Sequence, residues 1–195
     1  GEGQVGGDTR MWLYADDCAT ELAFNDDGGD GLYSRFVYTF DADGELTGVV
    51  INVPCSALGF GRHITAGTTI ALTGDLGSGK TAFVQGIARG LHVPAEYYIT
   101  SPTFTLINEY PGRLRLHHVD LYRIGDPIEI EEIGLHEILG SDGVAVIEWA
   151  ERLGAELPAQ HVRVHLEMTN DQTRHLTITA TGSAAVTMLK NAVNI

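Results

Sequence analysis

One stretch of this chain has residue types and spacing suited to chemistry on a polyphosphate. Gly74-Asp75-Leu76-Gly77-Ser78-Gly79-Lys80-Thr81 fits the pattern G-x-x-x-x-G-K-[ST] at every fixed position. The glycines let the backbone turn sharply and bring its amides against phosphate oxygens, and a helix starting near Lys80 would aim its positive dipole end there. In this reading Gly74, Asp75, Leu76, Gly77, Ser78, Gly79, Lys80, Thr81 and Ala82 form the nucleotide cradle. Lys80 reaches the β and γ phosphates of a bound nucleotide, and the Thr81 hydroxyl binds Mg2+. Hydrolysis also needs carboxylates, for the metal shell and for the attacking water. Asp120 and Glu148 each end an apolar run. Asp120 is the better candidate for Mg2+, directly or through water, and Glu148 for positioning or deprotonating the water. Thr103, in Ser101-Pro102-Thr103, lies where phosphate-loop hydrolases carry a segment that orders against the γ phosphate. The same three residues also make a common turn. The catalytic candidates are thus Glu148, Lys80 and Thr103, and the metal candidates Thr81, Asp120 and Glu148. His117, His118, His136, His165 and His175 have no zinc-site spacing and read as structural. Trp149 reads as a packed aromatic beside the site.

Elements of definite kinds must position these groups. Thr69-Ile70-Ala71-Leu72-Thr73 suits a parallel strand buried on both faces. Phe83, Ile87 and Leu91 recur at helical spacing, with Gly90 near the end. Residues 144–147 read as a second buried strand running into Glu148 and Trp149. Residues 101–110 begin as a loop and become a strand, which Pro111-Gly112 turns back through 114–120 as an antiparallel neighbour. Asp126-Pro127 caps a helix with an apolar face from Ile130 to Leu139. Residues 161–169 and 174–181 alternate around an Asn170-Asp171-Gln172-Thr173 turn, and Ser183 caps a final helix. The predicted fold is α/β, a P-loop NTPase-type three-layer fold with a mixed, mostly parallel sheet plus a C-terminal antiparallel hairpin and helix. Ligands gather at the carboxyl edge of such a sheet, where both acids would lie with the loop.

Nearer the start, residues 1–10 are glycine-rich and polar, read as a flexible leader or tag remnant, with Met11 as a natural start. Residues 11–14 form a short strand, and Asp16-Asp17 opens a helical turn through Ala19, Leu22 and Ala23. An Asp/Gly loop at 25–31 precedes a peripheral hairpin, 32–40 with 45–53, joined through Asp43-Gly44 and ended by Pro54. Residues 57–64 form a short helix. The domain expectation is a single P-loop domain over 11–195, with an inserted hairpin at 25–56.

With 195 residues, 44% hydrophobic and 19% charged, the chain has the composition of a soluble globular protein with ample core. Its formal charge of -14 repels nucleic-acid phosphates, and its arginines are scattered, so no tight direct nucleic-acid binding is expected. Cys18 and Cys55 show neither metal spacing nor a secreted disulfide pattern. No signal peptide or long apolar run is present, which points to a cytoplasmic protein away from membranes.

The set GDLGSGKT (74–81), SPTF (101–104), HVDLYR (118–123) and IEWAERL (147–153), in that order, closely resembles the TsaE (YjeE) family. These are small bacterial ATPases needed to make the threonylcarbamoyladenosine modification of tRNA beside the anticodon. The likeness covers roughly residues 57–182. It implies that Lys80 and Thr81 bind ATP and Mg2+, that Thr103 lies in a switch-like loop, and that Asp120 and Glu148 serve metal and hydrolysis. It further implies partners, TsaB and TsaD, whose complex would be reset by ATP hydrolysis. Residues 11–24 and 57–67 look like two halves, or two versions, of one segment that family members carry uninterrupted, so no adenine contact is assigned.

Two other classes share the loop. A small-molecule kinase would need an arginine-rich lid, which the chain lacks, and a non-hydrolysing module would need bound ATP only for its shape. A GTPase is disfavoured, because Lys190, the only lysine besides Lys80, is followed by Asn191-Ala192 and cannot belong to the guanine-reading Asn-Lys-x-Asp.

Overall fold

The structure is a computed structural model, and it describes residues 10–14, 21–24, 34–40, 46–50, 53–139, 141–169 and 174–193. Its elements in chain order begin with β1 (Arg10–Tyr14), β2 (Glu21–Phe24), β3 (Ser34–Phe40), β4 (Leu46–Val50) and α1 (Val53–His63). β5 (Thr69–Thr73), α2 (Lys80–Gly90), β6 (Ile107–Tyr110), β7 (Leu116–Asp120), α3 (Pro127–Glu132) and α4 (Leu135–Leu139) follow. The chain ends with β8 (Val144–Glu148), a 3-10 segment (Ala150–Glu156), β9 (His161–Met168), β10 (Arg174–Thr181) and α5 (Ser183–Val193).

The strands join one sheet in the order β2-β1-β3-β4-β10-β9-β5-β8-β7-β6. β5 lies between β8 and β9 and runs parallel to both, and β7 runs parallel to β8. β6 closes one side as an antiparallel edge, and the β9–β10 hairpin is antiparallel. The six strands from β10 to β6 are therefore mixed and mostly parallel, as expected. On the β10 side, β4 and then β3, β1 and β2 add antiparallel pairings.

Period-two alternation puts a core on each face. Ile70, Leu72, Val144, Val146, Val162 and Val164 pack with Phe83 and Ile87 of α2, Phe60 and Ile64 of α1, and Met188 and Leu189 of α5. Ala71, Val119 and Ile147 face the other way, against Ile130, Leu135 and Leu153. These are the three layers. Every residue of β7 and β8 is buried, the signature of central strands covered on both sides.

Several elements differ from the sequence reading. Glu21–Phe24 is a strand paired with β1 rather than part of a helical turn, because sheet pairing offers its backbone a full ladder. Arg10, assigned to the leader, belongs to β1 and pairs with Tyr38. Pro54 does not end a strand; it lies in the first turn of α1, where a missing N–H costs nothing. The single helix expected from Asp126 to Gly140 is two helices, broken at Gly134 with φ +68°. Its start is at the expected cap, Asp126, which also forms a capping box with Glu129. The first bond of α5 runs from Val186 N–H to the Gly182 carbonyl, so the helix begins one residue ahead of a Ser183 cap. The leader before Arg10, Asp16-Asp17, Cys18, the 25–31 loop, Asp43-Gly44 and the 170–173 turn lie outside the described residues.

At Gly61 and Gly90, α1 and α2 cross backbone against backbone. A Cβ on Gly90 would stand 2.5 Å from the Leu58 carbonyl oxygen and 2.7 Å from the Gly61 Cα. Backbone cannot yield there as a flexible side chain would. Overpacking costs about 1–3 kcal/mol, against about 1 kcal/mol that alanine gains over glycine in a helix interior. Gly90→Ala is therefore expected to lower the urea unfolding midpoint, and a midpoint at or above the parent's would contradict this close crossing.

Candidate functional site

The loop leaves the carboxyl end of β5 at Gly74, whose φ is +128°. A Cβ there would lie 2.1 Å from the Leu166 carbonyl oxygen of the neighbouring β9, so only glycine fits. The chain enters α2 through Gly79, which is left-handed and offers no side-chain cap. The first N–H groups of α2 are thereby left to an outside acceptor, at the helix's positive end. From β10, Arg174 Nε donates to the Ser78 carbonyl at 2.9 Å, tying the loop to the hairpin.

Lys80 Nζ donates to the carbonyls of Gly74 at 2.6 Å and Asp75 at 2.9 Å. It also sits 3.8 Å from the centre of the Trp149 ring, a cation–π contact. That ring is aimed by an unusual backbone. β8 stops at Glu148, and Trp149 takes a left-handed φ of +59°, folding its side chain back over the loop's lysine. The Tyr122 ring packs beside it at 5.0 Å. Burial pulls the Lys80 ammonium below the usual lysine pKa, and Glu148, Glu151, Asp120 and Asp75 pull it back up.

Asp120 and Glu148 are register partners on the parallel strands β7 and β8, and both are buried. They lie at the carboxyl edge with the loop, as expected. Their hydrogen bonds divide them. Thr81 Oγ1 donates to Glu148 Oε1 at 2.8 Å, and His118 Nε2 lies 2.8 Å from the same oxygen. Asp120 Oδ2 accepts from Thr103 Oγ1 at 2.8 Å and from Ser101 Oγ, while Oδ1 accepts from the Tyr122 N–H at 2.8 Å. The hydroxyl expected to bind Mg2+ therefore touches Glu148, and the direct partners of Asp120 belong to the 101–103 loop and to Tyr122.

A hydroxyl and a carboxylate oxygen at 2.8 Å, beside a helix N-terminus, are the hard oxygen donors that Mg2+ shares with phosphates. Among the described residues no group of three or more His, Cys, Asp or Glu could hold a metal unaided. An ion here would thus draw much of its shell from phosphate and water. None of the described helices is long and apolar enough to cross a membrane.

Sequence reasoning missed the side chains of His118, Ser101 and Arg174. A signal for His118 was present, since a residue two before Asp120 on a strand shares its face. Ser101 and Arg174 touch the site only through folding from other elements.

A lysine whose pKa is lower folded than unfolded costs stability while charged; that cost is full below the folded-state pKa and lost as pH rises from there through the unfolded-state value. Lys80→Met should therefore leave the thermal midpoint at pH 7 at or above the parent's, with the difference shrinking at alkaline pH. A clear drop at pH 7 would mean that the carbonyl bonds of Lys80 outweigh its desolvation.

A family model described as threonylcarbamoyl adenosine biosynthesis protein TsaE matches residues 55–176. The tRNA threonylcarbamoyladenosine biosynthesis protein TsaE of Treponema pallidum is 44% identical over 118 residues, which span 60% of this chain and 86% of that protein. Its Bacillus subtilis counterpart is 41% identical over 118 residues, 60% of this chain and 72% of that protein. Among solved structures, the crystal structure of Bacillus subtilis YdiB superposes with a TM-score of 0.65 at 30% identity, covering 76% of this chain and 93% of that one. The matched span holds the loop, the 101–103 segment, Asp120 and Glu148, and it exceeds half of the chain: this protein belongs to the TsaE family.

Proposed function

We propose that this chain binds ATP with Mg2+, hydrolyses it slowly alone, and uses the hydrolysis to reset a TsaB–TsaD complex. Its membership of the TsaE family gives it a role in tRNA threonylcarbamoyladenosine biosynthesis. The observation that carries the finer reading is the contact of Thr81 with Glu148, the register partner of Asp120, beside the glycine loop. In the proposed site the first amides of α2 and Lys80 bind the β and γ phosphates. Thr81 holds the metal with Glu148 beside it, which shifts toward Glu148 the metal role that the sequence favoured for Asp120. Mg2+, when bound, neutralises charge on the phosphate oxygens. Glu148 Oε2 and Asp120 then face the task of orienting water, and Thr103, bonded to Asp120, couples the 101–103 loop to the nucleotide.

Two surface features support a protein partner. Leu76 and Phe104, on the loop and the 101–104 segment, are 73% and 81% exposed. The net charge of -14 leaves nucleic-acid contact to other subunits. Slow turnover alone follows if a partner completes the site, since a group supplied in trans adds about 10³ to 10⁵ in rate.

Glu148→Ala should keep ATP binding and lower phosphate release to water by about 10² to 10⁴-fold, the range for a lost acid–base group. Unchanged hydrolysis would remove Glu148 from the mechanism, and phosphate appearing on a small molecule instead of in water would make the protein a kinase. In a pull-down, the chain should retain TsaB with TsaD in an ATP-dependent manner. Equal recovery with and without ATP would sink the resetting role.

A further inference from the structure

His118 sits where an aliphatic residue would be expected. On β7, Leu116, His118 and Asp120 share a face, and Leu116 packs into the core beneath α1, α2 and α5. On β8, Val144, Val146 and Glu148 share the same face, and the register pairs His118 with Val146 and Asp120 with Glu148. His118 thus lies on the diagonal to Glu148 across adjacent strands, within reach of a long side chain. Its ring is 0% exposed, and its Nδ1 has no hydrogen-bond partner among the described residues. Burying that nitrogen costs free energy that a leucine would not incur. What the position gains is the 2.8 Å contact of Nε2 with Glu148 Oε1. An ionised carboxylate only accepts, so Nε2 carries the proton and donates it.

Oε1 therefore receives Thr81 and His118 together, while Oε2 has no hydrogen-bond partner among the described residues. The two donors are not equivalent. The Thr81 oxygen is shared with the metal in the proposed site, whereas His118 serves the carboxylate alone. We infer that His118 is a positioning residue for ATP hydrolysis: its Nε2–H pins Oε1 of Glu148, holding the carboxylate in one orientation and leaving Oε2 for the reacting water and the metal shell. The inference rests on the hydrolytic role given to Glu148 above.

The test compares parent, Glu148→Ala, His118→Leu and His118→Gln in one steady-state ATPase assay, with ATP affinity measured separately. His118→Leu should lower kcat by about 10–100-fold, the usual cost of losing a group that orients a site's ligand. KM and ATP affinity should move by less than about threefold, since the loss is confined to the transition state. His118→Gln, whose side-chain amide can place an N–H near the lost Nε2, should recover most of kcat. Parental kcat in His118→Leu, or glutamine no better than leucine, overturns the inference. If His118→Leu does not fold, nitrogen NMR of the parent chain decides. The Nε2–H tautomer, with a resonance that moves in Glu148→Ala, supports the pin; the Nδ1–H tautomer, or an unmoved resonance, refutes it. An active Glu148→Ala would instead overturn the parent reading, whereas an inactive one beside a fully active His118→Leu would overturn this inference alone.

Discussion

The structure around the site depends on keeping one carboxylate in a nearly dry place. Glu148 ends a strand that is buried along its whole length, and a charge there is tolerable only if donors replace the water it loses. Thr81 from α2 and His118 from β7 supply them, one from the layer above and one from the adjacent strand. That pair of bonds links the helix carrying the loop's lysine to the strand carrying the second acid. The loop, the helix and both central strands are thereby locked to one another at a single oxygen.

Asp120 is anchored in a different way. Its partners are the Ser101 and Thr103 hydroxyls and the Tyr122 amide, so it fastens a connector rather than a helix. Two register neighbours thus answer to two different segments, a helix and a connector, within a single pairing of parallel strands. Phe104, next to Thr103, is largely exposed, with the Arg123 guanidinium 4.1 Å from its ring centre.

The other side of the loop is held by backbone crowding. Gly74 lies too close to the β9 carbonyl of Leu166 to carry a side chain, and Arg174 of β10 reaches the Ser78 carbonyl. The C-terminal hairpin therefore braces the loop. At its far side β10 pairs with β4, so the sheet continues into the N-terminal strands without a break in hydrogen bonding.

The sequence by itself determined what is local. The loop pattern, the strand before it, the helix after it, the two strand-ending acids and the Asp126 cap all follow from residue types within a turn or a strand of one another. Their physics is short-range: backbone conformation, periodicity and capping. Glu21–Phe24 escaped because a short apolar segment takes its state from the strand it pairs with, and the break at Gly134 because helical periodicity runs across it unmarked. Only the tertiary structure decided which acid Thr81 would touch, and that His118 would be the second donor to it. Those choices follow from the register between β7 and β8 and from where α2 lies over them, and register is fixed by contacts between residues far apart in the chain.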